Sequence, residues 1–162
     1  MNEIQVSVTG NVTTDVRHVV VNDSTPITSF RLASTTRRRD PDGRWYDADT
    51  TWFTVTCFRA LALNAARSLR KGQPVAVQGR LRVREYEVEG VRRWSLEIEA
   101  GSIGHDLQYG TGDFQRVPKV ERTEVPHRAA ADALAAGFEE EAAGRAAAGE
   151  PGAVEELDVL VG

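Results

Sequence analysis

Alternation of apolar and polar residues runs through most of the first 105 residues, and this two-residue period constrains the fold more than any other feature. The clearest run is TTWFTVTCFR, residues 50–59, which is rich in β-branched and aromatic residues and predicts a strand. Successive strand side chains point to opposite faces, so Phe53, Val55 and Cys57 form an apolar core face. The other face has small hydroxyls between two aromatic rings and suits flat ligands; it carries Trp52, Thr54, Thr56 and Phe58.

A single helical pattern interrupts the strands, in RALALNAARSLRKG, residues 59–72. Leu61, Ala65 and Leu69 lie on one stripe, and Gly72 supplies the stop signal. Strand patterns precede the helix in EIQVSVTGNV, DVRHVVVN, PITSFRLAST and TTWFTVTCFR, and follow it in QPVAVQGRLRVREYEVEG and VRRWSLEIEA. Apart from the short DVRHVVVN, these are five main strands with one helix between the third and fourth. They predict an all-β fold, a five-stranded OB-fold barrel, which is an architecture that binds oligonucleotides.

Residues 34–52 are predicted to form a long, hairpin-like connection. Its turn is DPDG, residues 40–43, where proline presets φ and glycine supplies a positive φ. The arginine triplet Arg37, Arg38 and Arg39 stands just before this turn.

Charge and composition divide the chain near Gly112. Residues 1–112 have net charge +2 and residues 113–162 have net charge −6, within a formal total of −4. We therefore expect an OB domain over 1–112 and an acidic, Ala/Glu/Gly-rich, disordered tail over 113–162, with transient helix within 128–148. No apolar run is long enough for a membrane helix and no signal peptide is evident, which predicts a cytoplasmic protein, and a nucleoid-associated one if it binds DNA.

Rings and cations converge on one predicted surface. Trp52 and Phe58 project from the strand before the helix, while Arg80, Arg82, Arg84 and Tyr86 alternate on the strand after it. The triplet Arg37, Arg38 and Arg39 leads into the first of these strands. Rings stack on bases and cations neutralise phosphates, so the combination predicts binding of single-stranded nucleic acid.

Each part of this surface has a simpler explanation. The triplet could be a solvated loop, Trp45 and Trp94 could be structural, and Arg70 and Lys71 could only complement the helix dipole. The β-strand arginines could pair with acidic residues across a hairpin, the candidates being Glu85, Glu87 and Glu97.

Catalysis is not expected. His18, His105 and His127 lack metal-ligand spacing, and no glycine-rich phosphate loop is present, so we predict no metal, no cofactor and no enzymatic activity. Cys57, the sole cysteine, is interpreted as a small buried hydrophobe, with an intersubunit disulfide or a catalytic thiol as alternatives. An OB-fold module that binds protein or RNA is the rival function.

Residues 2–110 resemble the bacterial single-stranded DNA-binding protein family. The resemblance rests on VSVTGNVTTDV, SFRLAST, TTWFTVTCFRALALNAARSLRKGQPVAVQGRLRVREY and IGHDLQYG, the last being similar to the actinobacterial branch. It implies an OB-fold homotetramer that wraps single-stranded DNA, without sequence preference, in replication, recombination and repair.

The resemblance also implies roles for individual residues. Trp52, Phe58 and Tyr86 match the family's stacking rings, and Arg38 replaces a fourth ring. Arg70, Lys71, Arg82 and Arg84 match its phosphate-contacting positions, and 4–8 matches its dimer-forming strand. The chain ends in GAVEELDVLVG rather than in an acidic tip closed by Pro-Phe, which puts recruitment of replication and repair proteins in doubt and suggests a specialised paralogue.

Overall fold

The computed structural model describes residues 2–22, 24–118 and 128–147. Its strands are β1 (Ile4–Val12), β2 (Arg17–Val21), β3 (Thr25–Arg39), β4 (Trp45–Phe58), β5 (Pro74–Val88) and β6 (Val91–His105). Its helices are α1 (Arg59–Ser68), between β4 and β5, and α2 (Arg128–Ala147).

Five of these strands close a barrel in the order β1-β5-β6-β4-β3, with β1 returning to β3 through Asn11↔Ala33 and Val12↔Leu32. The short strand β2 continues along the same edge of β3. All pairings are antiparallel except β4–β6. The predicted all-β OB-fold barrel, with α1 between its third and fourth strands, is therefore confirmed.

The barrel interior is filled by the side chains that the two-residue period predicts. Phe53, Val55 and Cys57 of β4 are buried, as are apolar residues of the other barrel strands and one side of α1; these include Phe30, Leu32, Ala62, Leu69, Val75, Val77 and Ile98. Burial of this apolar surface is the main stabilising contribution to the fold.

The connection predicted over 34–52 is mostly strand, which corrects that expectation. Strand β3 continues to Arg39 and β4 begins at Trp45, so only 40–44 forms the turn, with Gly43 at φ +84°. Cross-strand contacts hold this extension together: the Thr35 and Thr50 hydroxyls lie 2.9 Å apart and Arg37 lies 3.3 Å from Asp47. Threonines and opposite charges facing each other stabilise a ladder that few apolar residues support.

Helix α2 lies within the range predicted to be disordered. It occupies the place where transient helix was expected, but it packs against β3 and β4 and buries Ala131, Ala135 and Phe138. One phenylalanine and two alanines on a single helical stripe supply the apolar contact. Residues 119–127 and 148–162 lie outside the described residues, so the expectation for them, and the boundary at 112, stay predictions.

Candidate nucleic-acid interface

The candidate site is the outer face of the sheet formed by β3, β4, β6 and β5, here called the outer sheet face. Backbone register aligns residues of the four strands into two rows across it. One row is Arg31, Thr54, Glu97 and Arg82, and the next is Ser29, Thr56, Glu99 and Arg80. Because paired residues project to the same side of a sheet, the first row has a cation at each margin and the second has one at its β5 margin, while a threonine hydroxyl and a carboxylate lie at the centre of both.

The predicted stacking rings Trp52 and Phe58 lie on this face and are half-buried. The guanidinium carbon of Arg31 is 5.9 Å from the centroid of the Trp52 ring, within cation–π range. Phe58 lines a cavity of about 150 Å³ together with Arg80 and Arg82. Tyr86 is half-buried on β5, on the same side as Arg84. The structure therefore brings all three predicted rings to the face that carries the arginines.

The β5 arginines of the outer sheet face are paired with carboxylates. Arg80 contacts Glu3 and, at 2.7 Å, Glu99. Glu97 lies 3.6 Å from Arg82 and 3.3 Å from Arg84. The alternative of cross-hairpin pairing is thus realised for Glu97, whereas Glu85 pairs with Arg92 at the far end of the hairpin.

Burial shifts the pKa of two groups on the face, Glu97 on β6 and Arg31 at the β3 margin. Burial raises the pKa of Glu97, and the attraction of Arg84 and Arg82 offsets only part of that rise. Burial likewise lowers the pKa of the Arg31 guanidinium, although Glu139 and Tyr86 act in the opposite direction. Burying either charge costs desolvation free energy, so each group is stabilised by hydrogen-bonding or oppositely charged partners.

The triplet forms the end of β3 on the β3–β4 hairpin, where Arg37 and Arg39 continue the side that carries Arg31 and Arg38 projects to the opposite side. Arg37 and Arg38 are exposed, with Arg38 3.5 Å from Asp49, and Arg39 donates to the Gly43 carbonyl at 2.9 Å. Trp45 and Tyr46 stand directly opposite Arg39 and Arg38. Trp45 is 61% exposed and Tyr46 is 48% exposed, so the structural alternative for Trp45 is not supported. Trp94 is also exposed, on the other face of the β5–β6 hairpin from Tyr86.

Arg70 and Lys71 lie in the turn between α1 and β5. Arg70 donates to the carbonyls of Ala66 and Leu69, at 3.2 and 2.7 Å, so its guanidinium caps the end of the helix. Lys71 is exposed in the same turn. For Arg70 the geometry favours the helix-dipole alternative over a place on the outer sheet face.

Cys57 is a core residue. Its thiol is buried, donates to the Thr28 carbonyl at 3.6 Å, and has a pKa that burial raises to about 12. A nucleophilic thiol needs the opposite shift. Within the described ranges, no cluster of His, Cys, Asp and Glu has the arrangement of a metal site. The helices in that part of the chain are too short or too polar to cross a bilayer.

Sequence reasoning did not assign Arg31 or Arg17 to the site, and it named Glu97 only as an alternative partner for the strand arginines. Arg31 joins the face through the β3–β4 register, and Glu97 joins it through the parallel β4–β6 pairing. Arg17 lies on β2, outside the outer sheet face, and its guanidinium carbon lies 4.1 Å from the centroid of the Phe138 ring of α2. The two-residue period assigns Arg31 to the face of Ser29 and Ile27, but it gives no indication that this face meets Trp52.

Comparison with known proteins agrees with this geometry. The chain is 47% identical over 117 residues to single-stranded DNA-binding protein 2 of Tropheryma whipplei (strain Twist), covering 72% of this chain and 76% of the relative. It is 45% identical over 130 residues to single-stranded DNA-binding protein 1 of Streptomyces coelicolor, covering 79% and 82%.

Two solved structures share the fold. The small single-stranded DNA-binding protein from Streptomyces coelicolor aligns with a TM-score of 0.63 at 46% identity, over 68% of this chain and all of that one. The second single-stranded DNA-binding protein of Mycobacterium smegmatis aligns with a TM-score of 0.58 at 30% identity, over 71% of this chain and all of that one. The model of the single-strand binding protein family matches residues 1–106, which is the whole barrel, and the chain therefore belongs to that family.

Proposed function

We propose that the protein binds single-stranded DNA without sequence preference. One observation carries the proposal: in-register strands place Trp52 and Phe58 on the same sheet face as Arg31 and Arg82. Every base offers a ring face for stacking and every nucleotide offers a phosphate, so this combination binds any sequence. Family membership and the names of the relatives support the same conclusion.

The division of roles follows from position. Trp52, Phe58 and Tyr86 stack bases, at about 1–3 kcal/mol for each base. The phosphate-binding cations are those of β5 and of the β3–β4 hairpin, namely Arg37, Arg38, Arg39, Arg80, Arg82 and Arg84. Arg70 and Lys71 lie in the turn between α1 and β5 and are proposed as peripheral phosphate contacts, Lys71 as the exposed cation and Arg70 in addition to its capping of α1. No catalytic step is part of this proposal.

Assembly into a homotetramer is part of the proposal. Residues 4–10 of β1 pair with β5 on one edge, and the described chain supplies β1 with a second neighbour only at Asn11 and Val12. Ile4 on this strand is 63% exposed. An open strand edge bearing an exposed apolar side chain is suited to pairing with a second copy. Action in replication, recombination and repair is the biological role proposed for the assembly.

A fluorescence titration tests the binding. Oligo-dT added to the full chain should quench tryptophan emission, and the affinity should fall linearly with the logarithm of salt concentration. Light scattering in the same buffer measures the mass of the assembly. Preference for duplex DNA, or stronger binding of single-stranded RNA than of oligo-dT, would favour the rival module. Absence of any nucleic-acid binding would leave a protein-binding OB domain.

A further inference from the structure

The β3–β4 hairpin extends beyond the barrel as a two-stranded ladder. It runs from the pair Ala33↔Trp52 to the pair Arg39↔Trp45. These pairs are six residues apart on β3, which is about 20 Å at about 3.3 Å per residue. Trp45 stands at the far end of the ladder and is 61% exposed. The side of the hairpin to which this ring projects decides whether DNA on the outer sheet face can reach it.

A β-bulge sets that side. The β3–β4 register shifts by one residue at Ala48, which is the extra residue on β4. Regular alternation would place Tyr46 on the side of Trp52 and Trp45 on the other side, but an extra residue reverses this order. Trp45 therefore projects to the side of Trp52, and Tyr46 projects to the opposite side. The partner strand agrees, since the residues opposite the two tryptophans are an even number of residues apart on β3.

Cations flank Trp45 on its side of the hairpin. Arg39 is its direct cross-strand partner and donates to the Gly43 carbonyl at 2.9 Å, which holds the guanidinium at the end of the hairpin. Arg37 projects to the same side, with Nε 3.3 Å from Oδ1 of Asp47. This side of the ladder thus combines one exposed ring with two cations and one carboxylate.

The opposite side of the ladder has a balanced charge. Tyr46 stands across from Arg38 there, and Arg38 lies 3.5 Å from Asp49. Further along the hairpin this side becomes the core face of the barrel, where Phe53 is buried. A DNA strand that follows the outer sheet face past Trp52 therefore meets the ring of Trp45 and not that of Tyr46.

We infer that Trp45 is an additional base-stacking residue, which the bulge at Ala48 turns toward DNA, and that the β3–β4 hairpin thereby lengthens the DNA site beyond Trp52. This inference rests on the proposed function, because it extends the same face. A tryptophan ring stacks on any base, and the flanking arginines Arg37 and Arg39 supply positive charge for the phosphates. The distance of about 20 Å between the two pairs corresponds to about six nucleotides at 3.4 Å each, and to fewer where the strand is extended.

The first measurement compares oligo-dT affinity among full-length variants by isothermal titration. Trp45→Ala should weaken binding by about fivefold or more, which is the loss of one stacked base, with little change in salt dependence. Trp45→Phe keeps a ring and should retain most of the affinity. Tyr46→Ala is the matched control, because it removes a ring that is 48% exposed at the same end of the hairpin but on the other side. Unchanged affinity in Trp45→Ala, or an equal loss in Tyr46→Ala, would overturn the inference.

A length series of oligo-dT shows where on the DNA track Trp45 acts. Short oligonucleotides bind at the rings on the barrel, namely Trp52, Phe58 and Tyr86, so the wild type and Trp45→Ala should bind them equally. The two affinities should separate once the oligonucleotide is long enough to reach the end of the hairpin. A loss that is the same at every length would overturn the extension of the site. Absence of oligo-dT binding by the wild type would overturn the proposed function, whereas wild-type binding that Trp45→Ala leaves intact overturns only this inference.

The second measurement tests the bulge. Deletion of Ala48 restores regular alternation and should exchange the sides of the two rings. In the deletion background Tyr46→Ala should weaken binding of long oligo-dT by about fivefold or more, while Trp45→Ala should have little effect. Urea unfolding of the deletion variant confirms that the barrel is intact, and the variants of the first measurement keep the bulge and decide the contact separately. If Trp45→Ala remains the damaging change after the deletion, the bulge does not turn Trp45 toward DNA and that part of the inference is overturned.

Discussion

Arg84 lies diagonally across the β5–β6 ladder from Glu97, with Nη1 of one 3.3 Å from Oε1 of the other. Glu97 is only 8% exposed, and its other carboxylate oxygen lies 3.6 Å from Nη1 of Arg82. The proposed phosphate site therefore contains its own anion. That anion keeps two arginines together on one face when DNA is absent, at the cost of burying a carboxylate.

The buried carboxylate predicts a pH-dependent term in stability. The folded pKa of Glu97 is raised above its ordinary 4.5, so the folded chain retains a proton that the unfolded chain releases. The free-energy contribution of Glu97 to stability should then decrease as pH rises from about 4.5 through the folded pKa. Urea unfolding of wild type and Glu97→Gln across this window measures the term as a difference between the two chains.

The groups facing Glu97 set the interpretation of that difference. They are Arg82 and Arg84 from β5 and Asp132 and Glu139 from α2. The wild type should lose stability relative to Glu97→Gln as pH rises. A difference that stays constant, or reverses, would show that the arginines compensate the burial fully.

A second prediction concerns Trp52. Trp52→Ala should weaken oligo-dT binding by about 1–3 kcal/mol with little change in salt dependence, because stacking displaces few counterions. Trp94→Ala is the matched control, since Trp94 is 63% exposed on the opposite face of the β5–β6 hairpin. Isothermal titration reports both affinities without relying on tryptophan emission. Equal losses in the two variants would contradict the assignment of the outer sheet face.

Much of the barrel could be predicted because strand period and core burial coincide. Phe53, Val55 and Cys57 are buried as the alternation in β4 requires, and the DPDG turn reverses the chain where expected. The residues that make up the outer sheet face were harder to predict from the sequence. Counting register outward from the turn pairs Arg39 with Trp45, but a bulge at Thr36/Arg37 then shifts the pairing by one residue. A one-residue shift moves a side chain to the opposite face, so only the structure places Arg31 beside Trp52.

The packing of α2 on the barrel could not be predicted from the sequence. Its composition is mostly alanine, glutamate and glycine, which is typical of segments that cannot bury enough apolar surface to fold alone. The partners that hold it, Arg17, Arg82 and Arg84, belong to strands far away in sequence. These arginines come close together only when the barrel closes, so no local sequence pattern predicts that they meet α2.

A third prediction tests how the barrel closes. A Cβ on Gly10 would lie 2.3 Å from the Ala33 carbonyl oxygen, where β1 approaches β3. Gly10→Ala should therefore lower the free energy of unfolding by about 1–3 kcal/mol, as overpacked sites commonly do. Gly104→Ala is the control: it is a β6 position with nothing within 4 Å of the added Cβ, and its effect should stay within about 0.5 kcal/mol. Urea midpoints at constant m-value measure both; equal midpoints would mean that β1 can shift away from β3 without cost.

A fourth prediction concerns the hairpin end of the proposed DNA track. Arg38 is exposed beside Asp49 and stands opposite Tyr46, so its guanidinium can reach a phosphate or stack on a base. Arg38→Glu should weaken oligo-dT binding and make its logarithmic salt dependence shallower by about 0.7, the value for one lost phosphate contact on a single strand. Arg92→Glu, the same reversal at an exposed arginine paired with Glu85, is the control. A salt dependence that falls equally in both variants would mean that net charge, rather than a contact at Arg38, governs the binding.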